Sequence, residues 1–234
     1  MNRRQLMMLA GGLPLMSTVP TYILAQDAKP FRRSRPGDPS WPSPAQWEAL
    51  NAQTGGHLVQ VRPPLDTCRA APQGADCAAL FRGLKNPWYI GDNVALTQTS
   101  GWVDAWTSTP SAYAVAARNA ADVAAAVNFA RTHRLRLAVK GGGHAYQGTS
   151  NAPDSLLVWT RKLDRIELHD GFVGQGCSDR PQPAVSLGAG VVWLQAYDAV
   201  SKAGRYVQGG GCTTVGVAGL VQRDRKSTRL NSSH

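Results

Sequence analysis

Leu135-Arg136-Leu137-Ala138-Val139-Lys140-Gly141-Gly142-Gly143-His144-Ala145-Tyr146-Gln147-Gly148 runs from a short apolar stretch straight into three consecutive glycines. Leu135 to Val139 reads as a strand, and the glycines that follow are too many for a regular element. A strand feeding a loop without side chains lets several backbone N–H groups point inward as a nest, which suits phosphate. The dinucleotide fingerprint of the nicotinamide-binding fold is absent, because its third glycine would fall at Tyr146 and no helix follows at once. Gly188 and Gly190 fail the same test at Trp193. A second triple-glycine stretch, Gly209-Gly210-Gly211-Cys212-Thr213-Thr214-Val215-Gly216, repeats the first arrangement with a cysteine where the first has a histidine. A histidine or a cysteine right behind three glycines can reach whatever the loop cradles. Both can attack an electrophilic cofactor ring, so the pair points to double covalent tethering more than to acid–base catalysis.

The flanking pattern mixes helices and strands. Tyr113 to Ala117 reads as a strand, Asn119 as a helix cap, and Val123, Val127 and Ala130 space one apolar helical face. Leu156 to Trp159, Arg165 to Leu168 and Ala184 to Leu187 read as further strands. Between the last two, Gly171 to Pro183 is broken by Pro and Gly. Val191 to Ala203 reads as a helix closed by Gly204, and Arg205 to Val207 as a short extended piece. The fold class expected is α+β. Residues 26–82, rich in Pro, Arg, Gly and Ser with isolated Trp41 and Trp47, read as an extended leader wrapping the body.

The formal charge of +10 invites a nucleic-acid reading. Arg3, Arg4, Arg223, Arg225, Lys226 and Arg229 lie in the two ends of the chain against Asp224 alone, and leaving these out brings the charge to +5. No basic helix face or basic-aromatic stripe accompanies it, so nucleic acid is not an expected partner. Residues 1–25 carry Arg3-Arg4, an apolar run from Leu6 to Leu15 and small residues to Ala25. They read as a removable export signal of the twin-arginine kind, the alternatives being an ordinary secretory signal or a transmembrane helix, for which the run is too short. The expected destination is the periplasm or the exterior. Cys68, Cys77, Cys177 and Cys212 show no C-x-x-C pair and no histidine at metal-ligand spacing, so no metal site is expected. A bridge between Cys68 and Cys77 would staple a segment with little core of its own, and Cys177 reads as a free or locally paired thiol. Residues 223–234 break character into Arg, Lys, Ser and Asn and read as a non-native tail on a truncated gene.

Three motifs, in this order along the chain, carry a resemblance: Lys140 to Gly148, Asp154 to Asp170, and Gly211-Cys212-Thr213-Thr214-Val215-Gly216-Val217-Ala218-Gly219-Leu220. Leu84 to Gln222 resembles the FAD-binding oxidases of the p-cresol methylhydroxylase and vanillyl-alcohol oxidase type, in particular the berberine-bridge-enzyme-like branch. The resemblance implies an incomplete PCMH-type flavin domain of two α+β subdomains over residues 83–222, with FAD between them. It implies cofactor contacts from Lys140, Gly141, Gly142, Gly143, His144, Ala145, Tyr146, Gln147 and Gly148 on one side. On the other side they would come from Gly210, Gly211, Cys212, Thr213, Val215, Gly216, Val217, Gly219 and Leu220. In that branch the histidine bonds the flavin's 8α-methyl carbon and the cysteine its 6-position, which places both bonds here on His144 and Cys212. Many relatives carry serine at Ala145, a departure that costs a hydroxyl and keeps the amide. The reaction implied is hydride transfer from an alcohol-type small molecule to FAD and on to oxygen. The catalytic base and the substrate domain would lie after the Cys212 loop, leaving the chain as written inactive. Two other readings stay open: a dehydrogenase with another acceptor, and a non-enzymatic exported phosphate- or nucleotide-binding module.

Overall fold

A computed structural model describes residues 31–223. The export-signal reading of residues 1–25 and the tail from residue 224 lie outside the described residues. In chain order the elements are α1 (Pro44–Gln53), β1 (Leu58–Gln60), α2 (Asp66–Ala70), α3 (Ala75–Gly83), α4 (Pro87–Gly91), β2 (Gly101–Trp102), β3 (Trp106–Thr107), β4 (Tyr113–Ala116) and α5 (Ala120–Thr132). Then follow β5 (Arg136–Lys140), β6 (Ser155–Trp159), β7 (Ile166–Phe172), β8 (Gln182–Leu187), α6 (Trp193–Lys202) and α7 (Val217–Arg223). The class is α+β. Among the described residues no helix is long and apolar enough to cross a membrane.

The first subdomain is built on a four-stranded sheet in the order β1-β4-β6-β5. β6 runs parallel to both neighbours, whereas β1 meets β4 antiparallel. Ser155-Leu156-Leu157-Val158-Trp159 is buried at every position, as a central strand covered on both faces must be. Its side chains alternate between two cores. Leu156 and Val158 join Trp47, Leu50, Val115 and the α5 alanines, while Leu157 and Trp159 join Val61, Ala95, Ala114 and Ala138. Asn119 caps α5 by accepting from the Asp122 amide at 2.9 Å. Its inner face is lined by Ala125, Ala126 and Ala130. Val127, expected on that face, is 42% exposed, because alanines let the helix sit close and turn the valine outward.

The segment expected to be an extended leader is folded from α1 onward. Ser43 accepts from the Gln46 amide and Gln46 returns a bond to the Ser43 amide, a capping box with Pro44 in the first helical turn. Trp47 stacks on Tyr113 with ring centroids 3.9 Å apart, so the leader supplies core rather than wrapping it. Cys68 and Cys77 are bridged, and Cys177 is a free, exposed thiol. The second subdomain pairs β7 with β8 antiparallel and packs α6 and α7 around Val191, Trp193, Ala196 and Val217. β7 and β8 reach further into the Gly171–Pro183 stretch than the sequence pattern suggests. α7 runs through Arg223, the first residue of the expected foreign tail.

Candidate functional site

The two glycine loops lie backbone against backbone. A methyl group on Gly142 would come within 2.7 Å of the Gly216 nitrogen and 2.8 Å of the Thr214 carbonyl oxygen, and one on Gly216 within 2.8 Å of the Gly142 nitrogen. Neither position has room for a side chain. The second loop is in turn fixed to the start of α6. Trp193 N–H donates to the Val215 carbonyl, Leu194 N–H to that of Thr213, and Val217 N–H to that of Val191. Gly209 and Gly210 press on the Trp193 ring, which leaves no space for a β-carbon at either. Gly211 alone of that triplet faces open space.

On its other side the first loop is held by a strap formed by residues 93–107. Gly143 accepts from the Gln98 amide at 3.0 Å, Ala145 from the Thr99 hydroxyl at 3.1 Å, and Tyr146 from the Trp106 indole at 2.9 Å. A trans peptide unit points its N–H opposite to its C=O. The carbonyls of Gly143 and Ala145 aimed at the strap therefore turn the amides of His144 and Tyr146 away from it. Among the described residues these two amides, with those of Gly142, Gly143 and Ala145, donate to no protein acceptor. A run of unsatisfied N–H groups in one loop, two of them turned away from the strap, fits an anionic group such as a pyrophosphate.

Lys140, expected among the cofactor contacts, is turned the other way. Its side chain is buried and its ammonium donates to the carbonyls of Asn93 at 3.2 Å, Val94 at 2.5 Å and Leu96 at 2.9 Å. Burial pushes its pKa from 10.5 down to about 7. It anchors the strap beneath the loop. Val217 likewise spends its amide on Val191, whereas Gly219 is exposed and Leu220 half-buried against Gly210. Tyr146 and Gln147 are exposed at the rim, and Gly148 sits at φ +70° with its α-carbon against the Trp106 ring.

His144 and Cys212 come together on one atom. His144 Nε2 lies 3.0 Å from the Thr214 hydroxyl oxygen, and Cys212 Sγ lies 3.7 Å from the same oxygen. Burial lowers the His144 pKa, and the Thr214 backbone opposes that shift in part. Burial therefore favours the neutral imidazole, the form that keeps a lone pair. Thr214 is buried while Cys212 is exposed. Sequence reasoning assigned Thr213 and Val215 to the site and passed over Thr214, whose burial and contact across 70 residues have no local signature. It also passed over Arg161, whose buried guanidinium joins Asp92 at 2.8 Å to the Gly190 carbonyl at 2.9 Å and Gln195 at 3.3 Å. That set ties the first subdomain to the start of α6.

A loop with unsatisfied amides, next to a histidine and a cysteine that meet at one hydroxyl, is suited to an anionic ligand. A family model described as "FAD binding domain" matches residues 110–226, half of the chain. The chain is 31% identical over 210 residues to FAD-linked oxidoreductase easE of Claviceps fusiformis, covering 80% of this chain and 36% of that protein. It is 29% identical over 242 residues to VAO-type flavoprotein oxidase VAO615 of Thermothelomyces thermophilus, covering 95% and 41%. Among solved structures, VAO-type flavoprotein MtVAO615 from Myceliophthora thermophila C1 superposes with a TM-score of 0.68 at 30% identity, over 80% of this chain and 36% of that one. MtVAO713 from the same organism shares the fold, with a TM-score of 0.69 at 22% identity over 79% and 36%. The chain belongs to the FAD binding domain family, that of the FAD-linked oxidoreductases and VAO-type flavoproteins, and its cofactor is FAD. It spans well under half the length of these relatives.

Proposed function

We propose that this chain is the flavin-holding part of an exported FAD-linked oxidase of the berberine-bridge-enzyme-like branch, with the flavin bonded to both His144 and Cys212. The observation that carries the reading is the convergence of His144 Nε2 and Cys212 Sγ on the Thr214 hydroxyl, at 3.0 and 3.7 Å. FAD, when bound, supplies hydride acceptance from an alcohol-type carbon and delivery of the electrons to oxygen. The protein's part is to bind and orient. The amides of His144 and Tyr146 receive the pyrophosphate, the close contact of Gly142 with Gly216 fixes the spacing of the two loops, and neutral His144 offers a nitrogen lone pair. A relative named as a flavoprotein oxidase favours oxygen as the acceptor over another oxidant.

The test is to produce the chain with FAD, denature it in acid and map the flavin-bearing peptides by mass. Flavin found on the peptides that contain His144 and Cys212 supports the double bond. Quantitative release of free FAD refutes it, and protein that takes up no flavin while binding free phosphate or nucleotide favours the non-enzymatic module. Export through the twin-arginine route, motivated by Arg3-Arg4, is tested by replacing both with lysine. Retention of the precursor in the cytoplasm supports that route and normal export rejects it.

A further inference from the structure

We propose that the Thr214 hydroxyl is a positioning group shared by the two attachment residues, accepting a hydrogen bond from His144 Nε2–H and donating its own proton to Cys212 Sγ. The inference rests on the reading of His144 and Cys212 as the flavin's two attachment points.

A threonine hydroxyl has a single proton to donate and lone pairs to accept with. Thr214 has two polar side-chain neighbours within reach, the imidazole at 3.0 Å and the sulfur at 3.7 Å. It is 4% exposed, so water does not compete freely for it. If the hydroxyl gives its proton to sulfur, it must accept from the ring, which places the ring proton on Nε2. His144 is then locked as the Nε2–H tautomer, with the lone pair on Nδ1 left for the flavin. The opposite polarity would place the proton on Nδ1 and tie up the Nε2 lone pair, leaving no nitrogen able to form a bond.

Each attachment exchanges one hydrogen on a flavin carbon for a bond to nitrogen or sulfur. The N–H or S–H gives up its proton as well, and dioxygen takes the two electrons and two protons as hydrogen peroxide. For His144 the departing proton is the one on Nε2, and Thr214 stands at that atom. The Thr214 backbone packs closely on the first loop, its carbonyl oxygen 2.8 Å from where a β-carbon on Gly142 would stand. The distance between the two loops thus sets the distance between the two bonds.

The test compares the full chain with Thr214→Val, which is close in shape and lacks the hydroxyl, and with Thr214→Ser, which restores it. In the flavin-free protein, nitrogen NMR of His144 is expected to show the Nε2–H tautomer in the parent and in Thr214→Ser, and a mixture of tautomers in Thr214→Val. Replacing Cys212 by alanine should shift the His144 resonances when Thr214 is present and leave them unmoved in Thr214→Val. With FAD supplied, the fraction of chains bonded at both residues should fall at least about fivefold in Thr214→Val, the scale of one lost hydrogen bond, and recover in Thr214→Ser. An unchanged His144 tautomer in Thr214→Val, or coupling to Cys212 that survives the loss of the hydroxyl, overturns the inference. If the parent chain forms no covalent bond to FAD, the attachment reading fails, while the tautomer and coupling measurements still decide the role of Thr214.

Discussion

Gly142→Ala places a methyl group 2.7 Å from the Gly216 nitrogen and 2.8 Å from the Thr214 carbonyl oxygen. Both are backbone atoms of a loop hydrogen-bonded to α6, so neither can swing aside as a side-chain end would. Restoring ordinary contact requires the loops to part by roughly 0.6 Å, an overpacking whose cost is typically about 1–3 kcal/mol. The same movement would stretch the His144–Thr214 contact beyond hydrogen-bond range, placing the total near the upper end, about 2–3 kcal/mol. For a domain of this size that lowers Tm by about 4–12 °C. Gly211→Ala is the control. It makes the same chemical change in the second triplet, where a β-carbon meets nothing within 4 Å, and stability should change by less than about 0.5 kcal/mol. Near-ultraviolet circular dichroism melts of both flavin-free variants provide the measurement. Equal melting temperatures would refute the claim that the loops are in backbone contact. A normal melt but poor flavin uptake in Gly211→Ala would locate the cofactor over that open face.

Further outcomes follow from single contacts. Arg161→Met removes a buried guanidinium that serves Asp92, Gly190 and Gln195; urea unfolding should register a loss of about 2–4 kcal/mol, and Arg161→Lys, with no fork to reach both sides, only a partial recovery. Lys140 titrates near 7 when folded and near 10.5 when unfolded, so the unfolded chain binds more protons between those values and stability should rise with pH across that window. Lys140→Met should flatten this slope in urea titrations at successive pH values, and an unchanged slope would assign the dependence elsewhere. Asn119→Ala should cost about 1 kcal/mol through loss of the α5 cap, measured in the same way.

Strands β4 to β8 and both glycine loops were legible because short apolar runs and glycine triplets are local signals, whereas β1, β2 and β3 were not foreseen. His144 and Cys212 were singled out for the same local reason, each standing directly behind its triplet, and the structure brings both to the Thr214 hydroxyl. The leader reading of residues 26–82 fails from α1 onward because Ser43, Pro44 and nearby glycines act there as caps and turns, and composition alone does not separate a capped helix from an extended wrap. Val127 was placed inside α5 because size was weighed over closeness, where small alanines win. The direction of Lys140 and the role of Thr214 depend on partners 44 and 70 residues away, which no window along the chain contains.

The strap contacts of the first loop carry a consequence for the order of events during synthesis. Gln98, Thr99 and Trp106 leave the ribosome about 40 residues ahead of the carbonyls they hold, and His144 emerges with those carbonyls well before Cys212. The amides of the first loop can therefore be oriented, and His144 in place, while the second loop is still being made. A nascent chain arrested after α5, β5 and β6 should already hold the diphosphate end of the cofactor weakly. Closure of the Cys212 loop would then act as a latch on a ligand already aligned, with little conformational freedom left to lose at that step.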